Sequence, residues 1–162
     1  MAVDMFLKLT NINGESRDAK HGKEIDVLAW SWGMSNSGTT HVGGGAGAGR
    51  VNVQDISVTK WVDKSSPTLM QHCAKGTHID EAFLTVRKAG DTPLEYIKIK
   101  MTECLITAVS TGGSGGEDRL TENITINFAQ VNVDYQEQNA KGGPEGGPVK
   151  FGFNIAENQN VG

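Results

Sequence analysis

One serine lies in a string of residues that could carry out nucleophilic chemistry. Gly112-Gly113-Ser114-Gly115-Gly116 matches the G-x-S-x-G pattern, in which a tight turn from a strand into a helix exposes the serine hydroxyl to a substrate carbonyl. The next segment, Glu117 to Tyr135, alternates like a strand and not like a helix. We therefore interpret Ser114 as part of a flexible loop, and a serine hydrolase is kept only as an alternative.

A second glycine-rich string could cradle phosphates. The stretch from Gly43 to Gly49 contains the spacing G-x-G-x-x-A, which in dinucleotide-binding proteins opens a helix whose N-terminus holds the pyrophosphate. Here a strand pattern, Arg50-Val51-Asn52-Val53, follows instead, and no GK[ST] sequence marks a phosphate-binding loop. The stretch is predicted to be a hinge or hairpin tip, and no cofactor is expected.

Histidines and cysteines are too dispersed to predict a metal centre. His72, Cys73 and His78 come closest, and they could share a metal only if the end of a helix folded back, whereas structural zinc takes four ligands at recognisable spacings. Cys73 and Cys104 have apolar neighbours, so both are predicted to be buried, reduced thiols. Paired carboxylates such as Glu117-Asp118 are explained as solvated surface. The chain is therefore not expected to be an enzyme.

Charge and hydropathy narrow the classes of partner. The 162 residues include 15 Lys and Arg against 19 Asp and Glu, a formal net charge of −4, so a nucleic-acid partner is not expected. No apolar run approaches the length of a membrane span, and the N-terminus has no classical signal-peptide pattern, which predicts synthesis in the cytoplasm without membrane insertion. Of 21 glycines, 13 fall in three clusters, at 43–49, 112–116 and 142–147, which predicts glycine-rich loops.

Alternating apolar and polar residues dominate the elements that would position these loops. Clear cases are Glu95–Met101 and Val149–Ile155, while Asn123–Tyr135 changes phase near Ala129, as at a bulge or barrel corner. Other strands are predicted at Met5–Leu9, Glu24–Met34, Ala82–Lys88 and Glu103–Ser110, and a second phase change separates Val51 and Val53 from Ile56 and Val58. One helix is predicted, with an N-cap and a first-turn proline in Ser65-Ser66-Pro67 and a left-handed Gly76 after its end. Eight or nine strands with one flanking helix predict a mainly β, antiparallel barrel or sandwich.

The strand that holds two tryptophans has two possible interpretations. Leu28, Trp30 and Trp32 share one face, and if that face enters the core, Ile25 and Val27 point outward. An apolar outer face of that kind could contact another copy of the protein. Alternatively, both faces are buried in one barrel layer, and the pattern alone does not decide between the two.

A series of short blocks, spread over nearly the whole chain, occurs in an order similar to that of one known family. The blocks are Phe6-Leu7-Lys8-Leu9, Ile12-Asn13-Gly14-Glu15-Ser16, Glu24-Ile25-Asp26-Val27, Trp30-Ser31-Trp32-Gly33, Asp63-Lys64-Ser65-Ser66-Pro67, Leu69-Met70, Leu84–Gly90, Gly116–Glu122 and Phe151–Ile155. Together they resemble the Hcp family, the haemolysin-coregulated proteins of bacterial type VI secretion.

The resemblance implies a single barrel domain over residues 1–162, with an extended glycine-rich hairpin at about 36–60. It implies a homo-hexameric ring, rings stacked into the inner tube of the apparatus, contacts with the contractile sheath and spike proteins, and effector proteins carried in the lumen. It also implies export without a classical signal peptide. A monomeric β-barrel binding module is the alternative.

Two sets of residues are predicted to serve the ring. Ser31, placed between two core-directed tryptophans, is the candidate that faces the lumen and its effectors. The glycine-rich hairpin is predicted to contact a neighbouring subunit or ring, because a backbone without side chains can adapt to another surface. The contact candidates are Gly43, Gly44, Gly45, Gly47, Gly49 and Arg50.

Overall fold

Antiparallel pairing connects the strands of this chain, whose computed structural model describes residues 3–38 and 49–162. The elements in chain order are β1 (Val3–Leu9), β2 (Ile25–Ser31), β3 (Met34–Asn36), β4 (Val51–Val53), β5 (Ile56–Trp61), α1 (Ser65–Lys75), β6 (His78–Lys88), β7 (Glu95–Thr111), β8 (Thr121–Tyr135), β9 (Val149–Asn154) and β10 (Gln159–Asn160). The contact candidates Gly43, Gly44, Gly45 and Gly47 lie outside the described residues.

Six of the strands close into a barrel. The sheet order is β10-β9-β8-β5-β2-β1-β6-β7, and a further pairing between β7 and β8 completes the circle. β9 and β10 extend the sheet beyond β8, while β3 and β4 form a separate two-stranded arm. The prediction of a mainly β, antiparallel barrel with one short helix is confirmed. β6 and β7 form an antiparallel hairpin within it.

The barrel interior is filled by aliphatic side chains that alternate along each strand. Leu7, Ile56, Leu84, Ile99 and Ile124 are among those with almost no exposed surface. Cys104 is also buried, and burial raises the pKa of its thiol to about 12, so the thiol stays protonated. Cys73 is only half-buried, so the prediction of two buried thiols is wrong for Cys73.

The two longest strands change phase at the same level of the barrel. The sequence predicts two strands here, Glu95–Met101 and Glu103–Ser110, but they form the single strand β7. Glu103, at the junction, takes a left-handed conformation (φ 54°) that shifts the alternation without ending the strand. Met101, before Glu103, and Cys104, after it, are both buried, so the alternation of buried residues changes phase between them. In β8 the buried positions shift from Phe128 to Val131, which confirms the phase change predicted near Ala129.

The tryptophan strand is where the sequence prediction fails. Ile25 and Val27 are in the core, and Leu28 is 38% exposed. The interpretation with an apolar outer face placed Leu28 in the core and Ile25 and Val27 outside, so it is wrong for these three residues. The reason is a bulge: Val27 pairs with Lys60 and Ala29 with Thr59, so Leu28 is an extra residue that reverses the alternation. Trp30 and Trp32 nevertheless pack against the core, as predicted.

The helix begins and ends close to the predicted residues. Gly76 adopts the left-handed conformation (φ 65°) after the last turn, and Pro67 lies in the first turn. The N-cap prediction is wrong, because Ser65 and Ser66 lie inside the helix and the Ser65 N–H donates to Asp63 Oδ1 (2.9 Å). Leu69 is buried against the barrel, whereas Met70 next to it is 39% exposed.

Candidate functional site

Four adjacent strands, in the order β2-β5-β8-β7, present small and polar side chains to solvent. One row across them is Ser31, Ser57, Thr125 and Ala108, and the row beside it is Ala29, Thr59, Asn123 and Ser110. We call these eight residues the hydroxyl face. Only Ser31 was predicted from the sequence; the other seven could be found only once the register of the four strands was known.

Backbone register and bulges create the hydroxyl face. Leu28 is the extra residue that turns Ala29 and Ser31 outward, and Thr107 is an extra residue of β7, since Ile106 pairs with Ile126 and Ala108 with Thr125. Across the face, the Thr59 hydroxyl donates to Asn123 Oδ1 (2.6 Å). The eight side chains carry no charge and no large apolar group. The surface can hydrogen-bond a partner without holding it through ion pairs or deep pockets.

On each side, the sheet that carries the hydroxyl face ends in a strand segment with no further strand paired to it in the described chain, and α1 packs against β7 on the second side. On one side, β1 pairs with β2 only at Ile25 and Asp26, which leaves 29–31 with a single partner strand among the described residues. On the other side, β6 pairs with β7 only as far as Leu105. Residues 106–111 of β7 therefore also have one neighbouring strand in the described chain. Unpaired edges of this kind attract another strand unless something covers them.

The arm formed by β3 and β4 leaves the barrel next to the hydroxyl face. Its base is fixed, because the Trp32 indole N–H donates to the Gln54 carbonyl (2.8 Å). Further out, the Asn36 side-chain amide donates to the Gly49 carbonyl (2.5 Å), and a Cβ added at Gly49 would lie 2.8 Å from the Ser37 carbonyl oxygen. Arg50 is exposed. The described strands of the arm are Met34–Asn36 and Val51–Val53, whereas the second end of the predicted hairpin 36–60 includes residues of β5, which belongs to the barrel.

Fully buried charges fasten the helix to the barrel. Lys60 and Glu122 face each other across β5 and β8, with Lys60 Nζ 3.0 Å from Glu122 Oε1 and 3.1 Å from Asp63 Oδ1. The Ser66 hydroxyl of the helix donates to the same Glu122 oxygen. Because both charged side chains have no exposed surface, this cluster is structural and cannot reach a substrate.

A second cluster fixes the loop between β1 and β2 to the barrel wall. The Arg87 guanidinium donates to Asp18 (2.7 and 3.0 Å) and Asp4 (3.0 Å) and lies over the Phe6 ring, on which His21 stacks. The hydrogen bonds from Arg87 hold the pKa of the Asp18 carboxyl well below its usual range, and Asp18 in turn raises the pKa of Arg87. The pairing keeps residues 16–23 against β1 and β6.

The residues with catalytic or metal-binding patterns do not assemble. Ser114 lies in the loop between β7 and β8, is followed by a strand and not a helix, and accepts a long contact (3.5 Å) from the Gly116 N–H of its own loop. His72 Nδ1 is engaged by the Thr68 carbonyl (2.9 Å). In 3–38 and 49–162, no group of three or more metal-ligating side chains could hold an ion. Within these same ranges, no helix has the length and apolar character needed to cross a bilayer.

Comparison with known proteins identifies the family. The family described as "Type VI secretion system effector, Hcp" matches residues 6–135. A curated relative, protein hcp1 of Pseudomonas aeruginosa, is 62% identical over 159 residues, covering 98% of both chains. This chain belongs to the Hcp family of type VI secretion.

Solved Hcp structures share the fold of this Hcp chain. The crystal structure of Hcp1 from Salmonella typhimurium is 36% identical, with a TM-score of 0.82 over 99% of this chain and 100% of that one. A structure described as a type six secretion system protein is 28% identical and reaches a TM-score of 0.93 over 99% and 100%. The resemblance noted from the sequence blocks is confirmed, and the family is one of secretion-system components, with no enzymatic activity assigned to it by these comparisons.

Proposed function

We propose that this Hcp chain forms a closed, hexameric ring whose channel is lined by the hydroxyl face, and that stacked rings form the inner tube of a type VI secretion system. One observation carries the proposal: the sheet bearing the hydroxyl face ends in two different open edges, at β2 and at β7. A ring needs two different surfaces on each subunit that meet after a rotation, and two unlike strand edges supply them.

Joining the β7 edge of one subunit to the β2 edge of the next would continue the sheet around the ring. Each subunit would add four strands at about 4.8 Å spacing, or roughly 19 Å of wall, so six subunits would enclose a channel about 115 Å around. A circle of that circumference is roughly 37 Å across, wide enough for a small folded protein. The neutral, small side chains of the hydroxyl face would then line the passage of an effector.

Ser31 lies on β2, the first of the four strands of this proposed channel wall. Its neighbours across the sheet, Ser57 and Thr125, are also small and polar, so a large side chain at this position would protrude from a smooth surface. We predict that Ser31→Tyr leaves the hexameric ring intact and lowers the retention of an effector protein, because the tyrosine side chain projects into the lumen. The measurement is a pull-down of a small effector of the same secretion system by the tagged ring.

A matched control places the same substitution on the other side of the barrel. Lys98 is exposed on β7 and, through its pairing with Asp134, belongs to the barrel wall away from the hydroxyl face. Lys98→Tyr should retain the effector like the wild type. Equal retention by Ser31→Tyr and wild-type rings of equal mass would refute the channel assignment.

Export and the remaining partners follow from the same proposal. We infer that the ring is made in the cytoplasm, leaves the cell through the apparatus without a classical signal peptide, and contacts the contractile sheath and the spike proteins. Membership of a family of type VI secretion-system effectors supports this inference. We treat residues 1–162 as one domain with no catalytic role. Loss of the protein from the medium when the sheath is deleted is the expected result, and unchanged secretion would contradict it.

A further inference from the structure

A glycine-walled groove opens at the end of the barrel where β6 and β8 stop. It has a volume of about 380 Å³ and is formed by two loops, the turn from β6 to β7 and the long connection from β8 to β9. Its lining includes three glycines, Gly90, Gly142 and Gly143, and three charged residues, Lys88, Asp91 and Lys141. The third glycine cluster of the sequence thus forms part of a concave surface, and Gly142 has the left-handed backbone (φ 87°) that glycine permits.

The groove carries two free positive charges. Lys88 is half-buried and Lys141 is exposed, and in the described parts of the chain neither forms an ion pair. Asp91 is the acidic residue among the lining side chains, and Glu137 lies in the adjoining hollow, which shares Lys88. The lining residues are therefore positive by one charge in a chain whose net charge is −4.

A narrow acidic loop lies at the opposite end of the same barrel. In the loop between β7 and β8, Leu120 packs against Gly113, where an added Cβ would lie 2.8 Å from the Leu120 side chain. The tip from Ser114 to Asp118 is exposed, and a turn holds it, with the Glu117 N–H donating to the Ser114 carbonyl (3.2 Å). The Arg119 guanidinium lies over the Trp61 ring (4.3 Å), and Glu117 and Asp118 line the same hollow, so the loop is negative by one charge.

The acidic tip and the basic groove cannot meet within one chain. The tip follows the last residue of β7 and the groove precedes its first, so the two surfaces lie at opposite ends of a 17-residue strand. Two surfaces at opposite ends of one subunit can meet only between copies arranged head to tail, and that contact repeats without closing. The negatively charged tip is complementary in charge to the positively charged groove.

We propose that the Ser114–Asp118 tip of each subunit inserts into the Lys88–Lys141 groove of a second copy in the next ring, and that this contact sets the direction of stacking. The inference rests on the proposed ring and adds the residues through which one ring recognises the next. It also assigns a role to Gly112–Gly116, the string that matched a nucleophile motif: its glycines keep the tip narrow enough to enter the groove.

Disulfide trapping between two differently substituted proteins tests the proposed contact. In a Cys73→Ala background, one protein carries Ser114→Cys in the tip and the other carries Ala140→Cys beside Lys141, and their rings are mixed and oxidised at high concentration. Head-to-tail stacking predicts disulfide-linked dimers in the mixture and almost none in either protein alone, because a tip meets a groove and never another tip. A control mixture pairs Ser114→Cys with Glu157→Cys, in the turn from β9 to β10, and should yield no dimers.

Charge reversal provides the second arm of the experiment. Lys88→Glu with Lys141→Glu in the groove protein should lower the dimer yield at least ten-fold, and Glu117→Lys with Asp118→Lys in the tip protein should restore it. The proposed contact is overturned by the absence of dimers in the mixture, by equal yields in the control mixture, or by yields that ignore charge reversal. Light scattering on each protein beforehand shows whether rings formed at all, so failure of the ring is distinguished from failure of this contact.

Discussion

Two buried charges, Lys60 and Glu122, decide how firmly the helix is joined to the barrel. Lys60→Met removes the cation and leaves the Glu122 carboxylate buried without its partner, which should lower the free energy of unfolding by about 3–5 kcal/mol. The double variant Lys60→Met/Glu122→Leu should recover most of that loss, because an apolar pair of similar volume needs no desolvated charge. Urea unfolding at one fixed protein concentration measures both effects. A single variant within 1 kcal/mol of the wild type would contradict the assignment.

The ion pair between Asp18 and Arg87 gives the fold a defined dependence on pH. The hydrogen bonds from Arg87 lower the pKa of Asp18 in the folded chain. A carboxyl with a lowered folded-state pKa stabilises the protein above its unfolded pKa, about 4, and this contribution is lost as the pH falls below that value.

Asp18→Asn should therefore lower the free energy of unfolding at pH 6, and the gap to the wild type should narrow from pH 4 towards pH 2. Urea unfolding at a series of pH values measures the gap. Asp55→Asn is the control, since Asp55 accepts from Thr107 and Asn127 (3.2 and 2.8 Å) but has no cationic partner in the described residues. A gap for Asp18→Asn that stays constant with pH would be evidence against the ion pair.

At the scale of elements, the sequence predicts the strands better than their faces. Alternation correctly indicated β1, β6, β8 and β9, and Gly76 correctly marked the end of the helix. Neither of the two interpretations of the faces of β2 describes the strand, because the bulge at Leu28 depends on the partner strand β5, which no local pattern reveals. Likewise, Glu103 carries no glycine-like signal for the left-handed turn that joins two predicted strands into β7.

The candidate site could be predicted only in part for the same reason. Ser31 is recognisable because it stands between Trp30 and Trp32, both of which pack against the core. Its partners on the hydroxyl face come from β5, β7 and β8, more than twenty residues away in sequence, and their alignment depends on pairing registers and on a bulge at Thr107. The buried pair of Lys60 and Glu122 was missed because charged residues are rarely fully buried unless paired.

The arm of β3 and β4 is the element whose proposed role is contact with a neighbouring subunit or ring. Removing Gly43–Gly49, with a two-residue Asn-Gly turn in its place to close the hairpin, should leave the barrel folded, because the base of the arm is held by Trp32 and Gln54. We expect the variant to form no tubes at high concentration by electron microscopy, since the reaching segment is lost. Unchanged stacking would disprove a contact role for Gly43, Gly44, Gly45, Gly47, Gly49 and Arg50.

On the scale of the whole molecule, the central claim is that two unlike open edges of one sheet close a ring around the hydroxyl face. A barrel closed on itself needs no partner, but residues 29–31 of β2 and 106–111 of β7 lie outside that closure in the described chain. Covering these edges with neighbouring copies removes a site of uncontrolled strand pairing. The alternative, a monomeric binding module, would leave both edges exposed in solution.

The mass of the purified protein in solution tests this claim most directly. Size-exclusion chromatography with multi-angle light scattering should give six times 17.3 kDa, about 104 kDa, and the value should stay constant over a ten-fold dilution because a closed ring has no free end to extend. A constant mass of 17.3 kDa would show a monomer and contradict the ring together with the channel assigned to the hydroxyl face.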